Sequence, residues 1–366
     1  MRADVHRFGL ADPGDVSGLR AAIAAGRIDP RAVVAVIGKT HGNGLVNDYT
    51  RGYLAFALAD LLAAATGETR EAITERVPLV FSGGVEGVLS PHYTVLTVAM
   101  AEEGARPGPA LAVGVAMSPV LPPEAIGRMA QVEATAAAVR TALARARIEP
   151  ADAHLVQVKG PAPTLSRIVA AEAADTPCRV GDPDKLMAYG RAACALGVAV
   201  ALGEVEPAAV TEAALLAERG LASSVASVSA GTEVAAVEVV ALGMSRHWSG
   251  PLAIAHRTMR DAIDLPAVTA VLRDLGLDPD PALAPEATAR LRLAIVKCEP
   301  QRDGTVRGRP HTMLNDGDLN AQRHVRGAVG GLVAGVLGET RLFVSGGAEH
   351  QGPDGGGLIA VVAERG

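Results

Sequence analysis

The 366-residue sequence predicts an α/β fold built from three similar α/β units. Three observations carry that reading. A short apolar, β-branched run ending in lysine occurs three times. Each run is followed by an arginine at the head of a small-residue apolar stretch. Each unit then closes on an apolar run ending in Ser-(Gly/Ala)-Gly-x-Glu. Repetition of whole supersecondary units indicates an assembled fold.

The first element reads Ala32-Val33-Val34-Ala35-Val36-Ile37-Gly38-Lys39, His154-Leu155-Val156-Gln157-Val158-Lys159 and Leu293-Ala294-Ile295-Val296-Lys297. Such runs read as buried strands. The second reads Arg51-Gly52-Tyr53-Leu54-Ala55, Arg191-Ala192-Ala193-Cys194-Ala195 and Arg326-Gly327-Ala328-Val329-Gly330. Its small residues favour a helix opened by the arginine. The third reads Ser82-Gly83-Gly84-Val85-Glu86, Ser229-Ala230-Gly231-Thr232-Glu233 and Ser345-Gly346-Gly347-Ala348-Glu349. Each serine is expected just after a strand, with a glycine tail whose backbone N–H groups face a ligand. Spacings between elements differ, so insertions fall in loops. Gly/Pro-rich stretches from Gly104 to Pro109 and at Ser249-Gly250-Pro251 divide the chain into units 1–105, 106–250 and 251–366. The Ala-rich stretch from Val132 to Ala146 is expected as a solvated amphipathic helix.

Composition narrows the function. A net charge of −6 offers no basic surface for nucleic acid, and 2% aromatic content offers no base-stacking platform. The three cysteines, Cys178, Cys194 and Cys298, are too few and too far apart for a disulfide framework. The N-terminus lacks a signal-peptide pattern, and the apolar runs from Ala192 to Leu202 and Ala328 to Leu337 are shorter than the roughly 20 residues of a membrane span. They are expected as buried helices of a cytoplasmic enzyme.

The lysines are the strongest clue to chemistry. The chain has only four, Lys39, Lys159, Lys185 and Lys297, and three of them end the three equivalent strands. Arginine supplies the remaining basic charge. Arginine holds its proton under all ordinary conditions, whereas a desolvated lysine releases one, so a position needing a general base requires lysine. A serine hydroxyl becomes a nucleophile when such a base takes its proton, and Ser–Lys pairs are a known form of that arrangement. Burial and the cationic arginines would both lower the lysine pKa. The arginine forks suit the carbonyl oxygens of a cyclic imide, the Ser-(Gly/Ala)-Gly turns suit an oxyanion hole, and three repeats about an axis suit a ring with three equivalent edges. No cofactor is needed for this catalysis.

Other motifs fail on inspection. Gly38-Lys39-Thr40 resembles the end of a Walker A loop, but Val33 occupies the position of its first glycine. The nine histidines form no H-x-H or H-E-x-x-H pattern, and no G-x-S-x-G elbow is present. The carbonyl-rich run from Ala348 to Gly357, with Glu299, could hold a structural Mg²⁺ or Ca²⁺.

At these residues the chain resembles the cyanuric acid hydrolase and barbiturase family of ring-opening amidohydrolases. The likeness runs through Gly38-Lys39-Thr40-His41-Gly42-Asn43-Gly44, Asn47 to Arg51, Phe81 to His92, Val156 to Lys159, Ala226 to Gly231, Val306 to Leu314 and Ser345 to Gly357. It implies three units around a pseudo-three-fold axis with a central barrel-like β core, and a homo-oligomer, commonly a tetramer. It implies Ser229 as nucleophile and Lys159 as base. It places Arg51, Arg191 and Arg326 on the substrate ring with Ser82, Gly83, Ala230, Ser345, Gly346 and the outer lysines Lys39 and Lys297. It implies a metal site of Glu299 and the oxygens of Ala348, Gln351, Gly352, Pro353 and Gly356. The implied reaction opens cyanuric acid to carboxybiuret, which loses CO₂ to give biuret.

His41 and Leu45 depart from the family pattern, which often carries Glu and Cys there, and Gln322-Arg323-His324 falls in the region associated with substrate choice. Two alternatives stay open. One is opening of barbiturate to ureidomalonate, and the other is a non-catalytic small-molecule binding protein. The residues alone do not choose among the three Ser–Lys pairs. Only Ala230, standing where the other copies have Gly83 and Gly346, breaks their symmetry.

Overall fold

The computed structural model describes residues 1–101, 108–313 and 321–365. Residues 104–107 of the first boundary stretch and Leu314 of the third motif lie outside them. The first segment comprises β1 (Arg2–Gly9), α1 (Ser17–Ala24), β2 (Val33–Thr40), α2 (Thr50–Thr66), α3 (Arg70–Arg76), β3 (Leu79–Gly83) and β4 (His92–Ala99). The second comprises β5 (Ala110–Val120), α4 (Met129–Ala146), β6 (Ala153–Pro161), α5 (Leu165–Ala173), α6 (Pro183–Leu202), β7 (Ala226–Gly231) and β8 (Ala236–Ser245). The third comprises β9 (Leu252–Met259), α7 (Leu265–Asp274), α8 (Pro285–Thr288), β10 (Leu291–Lys297), the short strands β11 (Thr305–Val306) and β12 (Arg309–Pro310), α9 (Ala321–Leu337), β13 (Phe343–Ser345) and β14 (Gly357–Glu364).

Each segment forms one four-stranded sheet, and the three sheets share one topology. Their orders are β1-β4-β2-β3, β5-β8-β6-β7 and β9-β14-β10-β13. In each, the lysine strand runs parallel to the serine strand and antiparallel to the last strand of the segment. The lysine strands are buried along nearly their whole length, which explains their continuous apolar sequences. One hydrophobic cluster draws on all three sheets, with Ile37 and Val80 from the first, Leu155 and Val228 from the second, and Ile295 and Phe343 from the third. Each such buried side chain contributes roughly 2 kcal/mol.

Three expectations need correction. Arg51 stands at the second position of α2, but Arg191 lies in the middle of α6 rather than opening it. That helix starts earlier because the Asp182 side chain accepts a hydrogen bond from Lys185 N at 2.9 Å and Pro183 takes the first position. The serines sit within their strands, Ser345 as the last residue of β13, not after them. The helix expected to be solvated, α4, is amphipathic but seated: Val132, Val139 and Ala142 are buried against α6 and β5, with Glu133 and Arg140 on the outer face. Helix α6 is long and apolar enough by composition to span a membrane, yet 67% of its apolar window is buried inside the protein, the position of a core helix.

Candidate active site

Parallel pairing sets each lysine beside its own serine. Lys39 is the register partner of Ser82, Lys159 of Ser229 and Lys297 of Ser345. The three lysines are 2%, 0% and 0% exposed, an uncommon fate for a residue that normally keeps its charge in water. Each ammonium also crosses to another sheet. Lys39 Nζ donates to Val344 O at 2.6 Å, Lys159 Nζ to Phe81 O at 2.8 Å and Lys297 Nζ to Val228 O at 2.8 Å. Every one of those carbonyls belongs to the residue just before a serine, so the lysines tie the three serine strands together in a cycle.

The glutamates that close the repeated motif organise the site, and reading the sequence assigned them no role. Glu233 Oε1 lies 2.7 Å from Lys159 Nζ and 3.2 Å from Arg51 Nε. Glu86 Oε1 lies 3.1 Å from Lys39 Nζ and 2.8 Å from Arg326 Nε. Glu349 accepts two hydrogen bonds from Arg191, at 2.9 and 2.5 Å. The carboxylates thus hold the arginine forks that were expected to be free for the substrate. Their recurrence four residues after the serine of each motif is the available signal. The second glycine of each motif leaves room for this cluster: a Cβ on Gly84 would stand 2.1 Å from Glu86 Oε2, on Gly231 2.0 Å from Glu233 Oε2 and on Gly347 2.5 Å from Arg191 Nε. Gly83 is required by a different neighbour, Asp48 Oδ2, only 1.7 Å from such a Cβ. Ala230 instead packs its methyl group with Ala162 and Met187.

Burial pushes the three lysines far below the ordinary range, Lys39 and Lys159 to about 8 and Lys297 to about 7. The neighbouring arginine lowers each further, while the neighbouring glutamate opposes the shift. All three therefore come within reach of neutral-pH proton transfer.

Ser82, Ser229, Ala230, Ser345 and Gly346 line one cavity of about 490 Å³ together with Arg51, Arg191 and Arg326. Lys39, Lys159 and Lys297 lie outside that lining, against the serine strands. Gly83 contributes through its carbonyl, which accepts from Lys39 Nζ at 2.9 Å and Arg326 Nη1 at 3.4 Å. Leu45 is part of the wall, as is Gln322, whereas His41, Arg323 and His324 are not. Gly44, Asp184, Lys185 and Met187 also line the cavity and were not foreseen.

The three Ser–Lys pairs are not equivalent. Lys39 donates three hydrogen bonds, to Gly83 O, Glu86 Oε1 and Val344 O. Lys297 also donates three, to Val228 O, Ser345 Oγ and Gly346 O. Lys159 donates one, to Phe81 O, and otherwise makes only its ion pair with Glu233. Ser82 Oγ donates to Ser345 Oγ at 3.4 Å. Ser229 Oγ is buried and has no hydrogen-bond partner, whereas Glu233 Oε1 is engaged by Lys159 Nζ and Arg51 Nε in ion pairs. Of the three serines only Ser229 is thus left uncommitted, and an unmade bond on a buried hydroxyl costs free energy.

The run around Glu349 is a partly buried loop, with Ala348, His350 and Gln351 inside and Pro353 exposed. Among the described residues no three His, Cys, Asp or Glu side chains converge on a metal position, so a site here draws on one carboxylate and loop carbonyls. Glu299 borders a space of about 10 Å³ with Gly352 and Asp354. Arg219, Arg302 and His350 line the same space, and Arg302 Nη2 lies 3.3 Å from Glu299 Oε1; burial and then the Glu349 carboxylate raise the Glu299 pKa. The Gln351 side chain is engaged elsewhere, accepting from Val228 N at 2.6 Å and donating to Gly347 O at 3.0 Å.

Comparison with known proteins gives the family of the chain. The family described as amidohydrolase ring-opening protein matches residues 4–364. A cyanuric acid amidohydrolase of Azorhizobium caulinodans is 50% identical over 366 residues, covering 99% of this chain and 98% of its own. Another, from Methylobacterium sp. strain 4-46, is 49% identical and covers 100% and 97%. A solved cyanuric acid hydrolase, presented as an evolutionary innovation by structural concatenation, superposes with a TM-score of 0.94 at 42% identity, covering 99% of both chains. The solved Azorhizobium caulinodans enzyme gives 0.91 at 48%, covering 100% of this chain and 99% of its own. A match that runs from end to end in both sequence and fold makes this chain a member of the ring-opening amidohydrolase family.

Proposed function

We propose that this chain hydrolyses cyanuric acid to carboxybiuret, which loses CO₂ to leave biuret, with Ser229 as nucleophile and Lys159 as general base. The observation that carries this reading is the single cavity where three serines and three arginines converge, backed by three buried lysines. The inequivalence of the pairs supports the middle one. Its serine has no hydrogen-bond partner, so that hydroxyl is uncommitted before substrate arrives, and its lysine makes fewer hydrogen bonds than the other two beside its ion pair with Glu233.

Neutral Lys159 takes the Ser229 proton as Oγ attacks a ring carbonyl. The carbonyl electron pair moves to oxygen, and the arginines and backbone N–H groups of the motifs stabilise that charge. The C–N bond breaks, the ring nitrogen takes the proton from Lys159, and an acyl-serine remains. Water, deprotonated by Lys159, attacks the acyl carbon and releases carboxybiuret, and the proton returns to Ser229. Lys297 holds Ser345 through its hydrogen bond to Oγ, and Lys39 anchors the Gly83 carbonyl and Glu86 beside Ser82.

The same proposal includes three units, 1–105, 106–250 and 251–366, around a pseudo-three-fold axis with a barrel-like β core; the shared sheet topology and the cyclic lysine contacts support it. It also includes a structural Mg²⁺ or Ca²⁺ held by Glu299 and the carbonyl oxygens of Ala348, Gln351, Gly352, Pro353 and Gly356. The cation would neutralise the buried carboxylates and fix the loop.

The test is the loss of ultraviolet absorbance of cyanuric acid and of barbituric acid, side by side, with purified enzyme. Preferential loss of cyanuric acid is expected. Preferential loss of barbiturate would keep the mechanism and change the substrate. Loss of neither would overturn the reading.

A further inference from the structure

Two residues before Lys159 and Ser229 on the same strands stand Gln157 and Ser227. They are register partners on parallel β6 and β7, as Lys159 and Ser229 are. Side chains alternate along a strand, so Gln157 shares a face with Lys159, and Ser227 with Ser229, roughly 6.6 Å further along the chain. Both are 0% exposed. Gln157 Oε1, Gln157 Nε2 and Ser227 Oγ all lack a hydrogen-bond partner. The equivalent positions in the other sheets are apolar: Ile37 and Val80 in the first, Ile295 and Phe343 in the third, all within the shared core. Among the described residues only the middle pair has polar residues at these two positions; in the first sheet the adjoining strand brings one buried hydroxyl without a partner, Thr94, beside Ile37. The layer of Gln157 and Ser227 is costly, because buried amides and hydroxyls are normally satisfied by protein or by ordered water.

We infer that Gln157 and Ser227 are positioning residues that hold ordered water beneath the Lys159–Ser229 pair, singling out one of three similar pairs for catalysis. This rests on the proposed roles of Ser229 and Lys159. An amide with a donor and an acceptor, beside a hydroxyl that can do either, supplies the two to four polar partners that an internal water needs. Water held there gives the lysine amine and the serine hydroxyl a polar neighbour on their own face of the sheet. The charged groups facing Lys159 are Glu233, Arg51 and Glu238, so the layer adds orientation without adding charge.

The test is the near-isosteric, apolar pair of changes Gln157→Met with Ser227→Ala, and Ser227→Ala alone in case the double variant fails to fold. A positioning role predicts kcat at least tenfold lower in the double variant and at least threefold lower in Ser227→Ala. It also predicts KM within about threefold of wild type in both, and a melting temperature unchanged or higher. A kcat within twofold of wild type in either folded variant would overturn it. Ser229→Ala is assayed alongside: if that variant keeps turnover, the nucleophile assignment fails instead, so the two failures are separate.

Discussion

Replacing Lys159 by arginine isolates the base role from the charge. The lysine is 0% exposed, 2.8 Å from Phe81 O and 2.7 Å from Glu233 Oε1. A guanidinium there can still pair with Glu233 and donate to the carbonyl, but it cannot release a proton at any working pH. A positioned general base contributes about 10²–10⁴ in rate, or about 3–5 kcal/mol of barrier at 1.36 kcal/mol per decade. Turnover of cyanuric acid by Lys159→Arg is therefore expected to fall at least a hundredfold. Arginine is also bulkier, and overpacking a core costs about 1–3 kcal/mol, so Lys159→Met serves as the second variant and circular dichroism checks that both are folded. Wild-type kcat/KM should rise with pH through about 8, where buried Lys159 loses its proton. Below that pH the amine is protonated and cannot accept the serine proton; above it the base is free. A folded Lys159→Arg enzyme within tenfold of wild type, or a profile flat from pH 7 to 9, would refute the reasoning.

Two other perturbations follow from the packing. Gly231→Ala places a methyl group 2.0 Å from Glu233 Oε2; displacing that carboxylate from Lys159 and Arg51 should cost at least tenfold in turnover, with a lower melting temperature measured on the same preparation. Removing Glu299 distinguishes a metal site from a bare buried acid. If it binds a cation, Glu299→Gln and chelator should each lower the melting temperature without adding to one another; if it does not, relieving the repulsion from Glu349 should raise the melting temperature of the variant.

The repeated elements were legible because local pattern announces them. Lysine was rare enough for its three strand-end copies to stand out, and the structure sets each beside its serine. The glutamates stand in plain view within the motif, but their arginine partners are remote: Arg191 meets Glu349 across 158 residues of chain, and Arg326 of the third segment meets Glu86 of the first. No spacing rule reaches that far. The same blindness hid Gln157 and Ser227, which read as ordinary members of apolar strands until burial and missing partners set them apart. The start of α6 is set by Asp182 and Pro183, the residues that cap the helix, and not by the arginine in its middle.

The most direct test of the account compares cyanuric acid turnover by Ser82→Ala, Ser229→Ala and Ser345→Ala, each checked for folding. The account predicts that Ser229→Ala loses essentially all activity and at least tenfold more than either outer variant, because only Ser229 supplies the attacking oxygen. Equal losses in all three, or measurable turnover by Ser229→Ala above that of an outer variant, would contradict it.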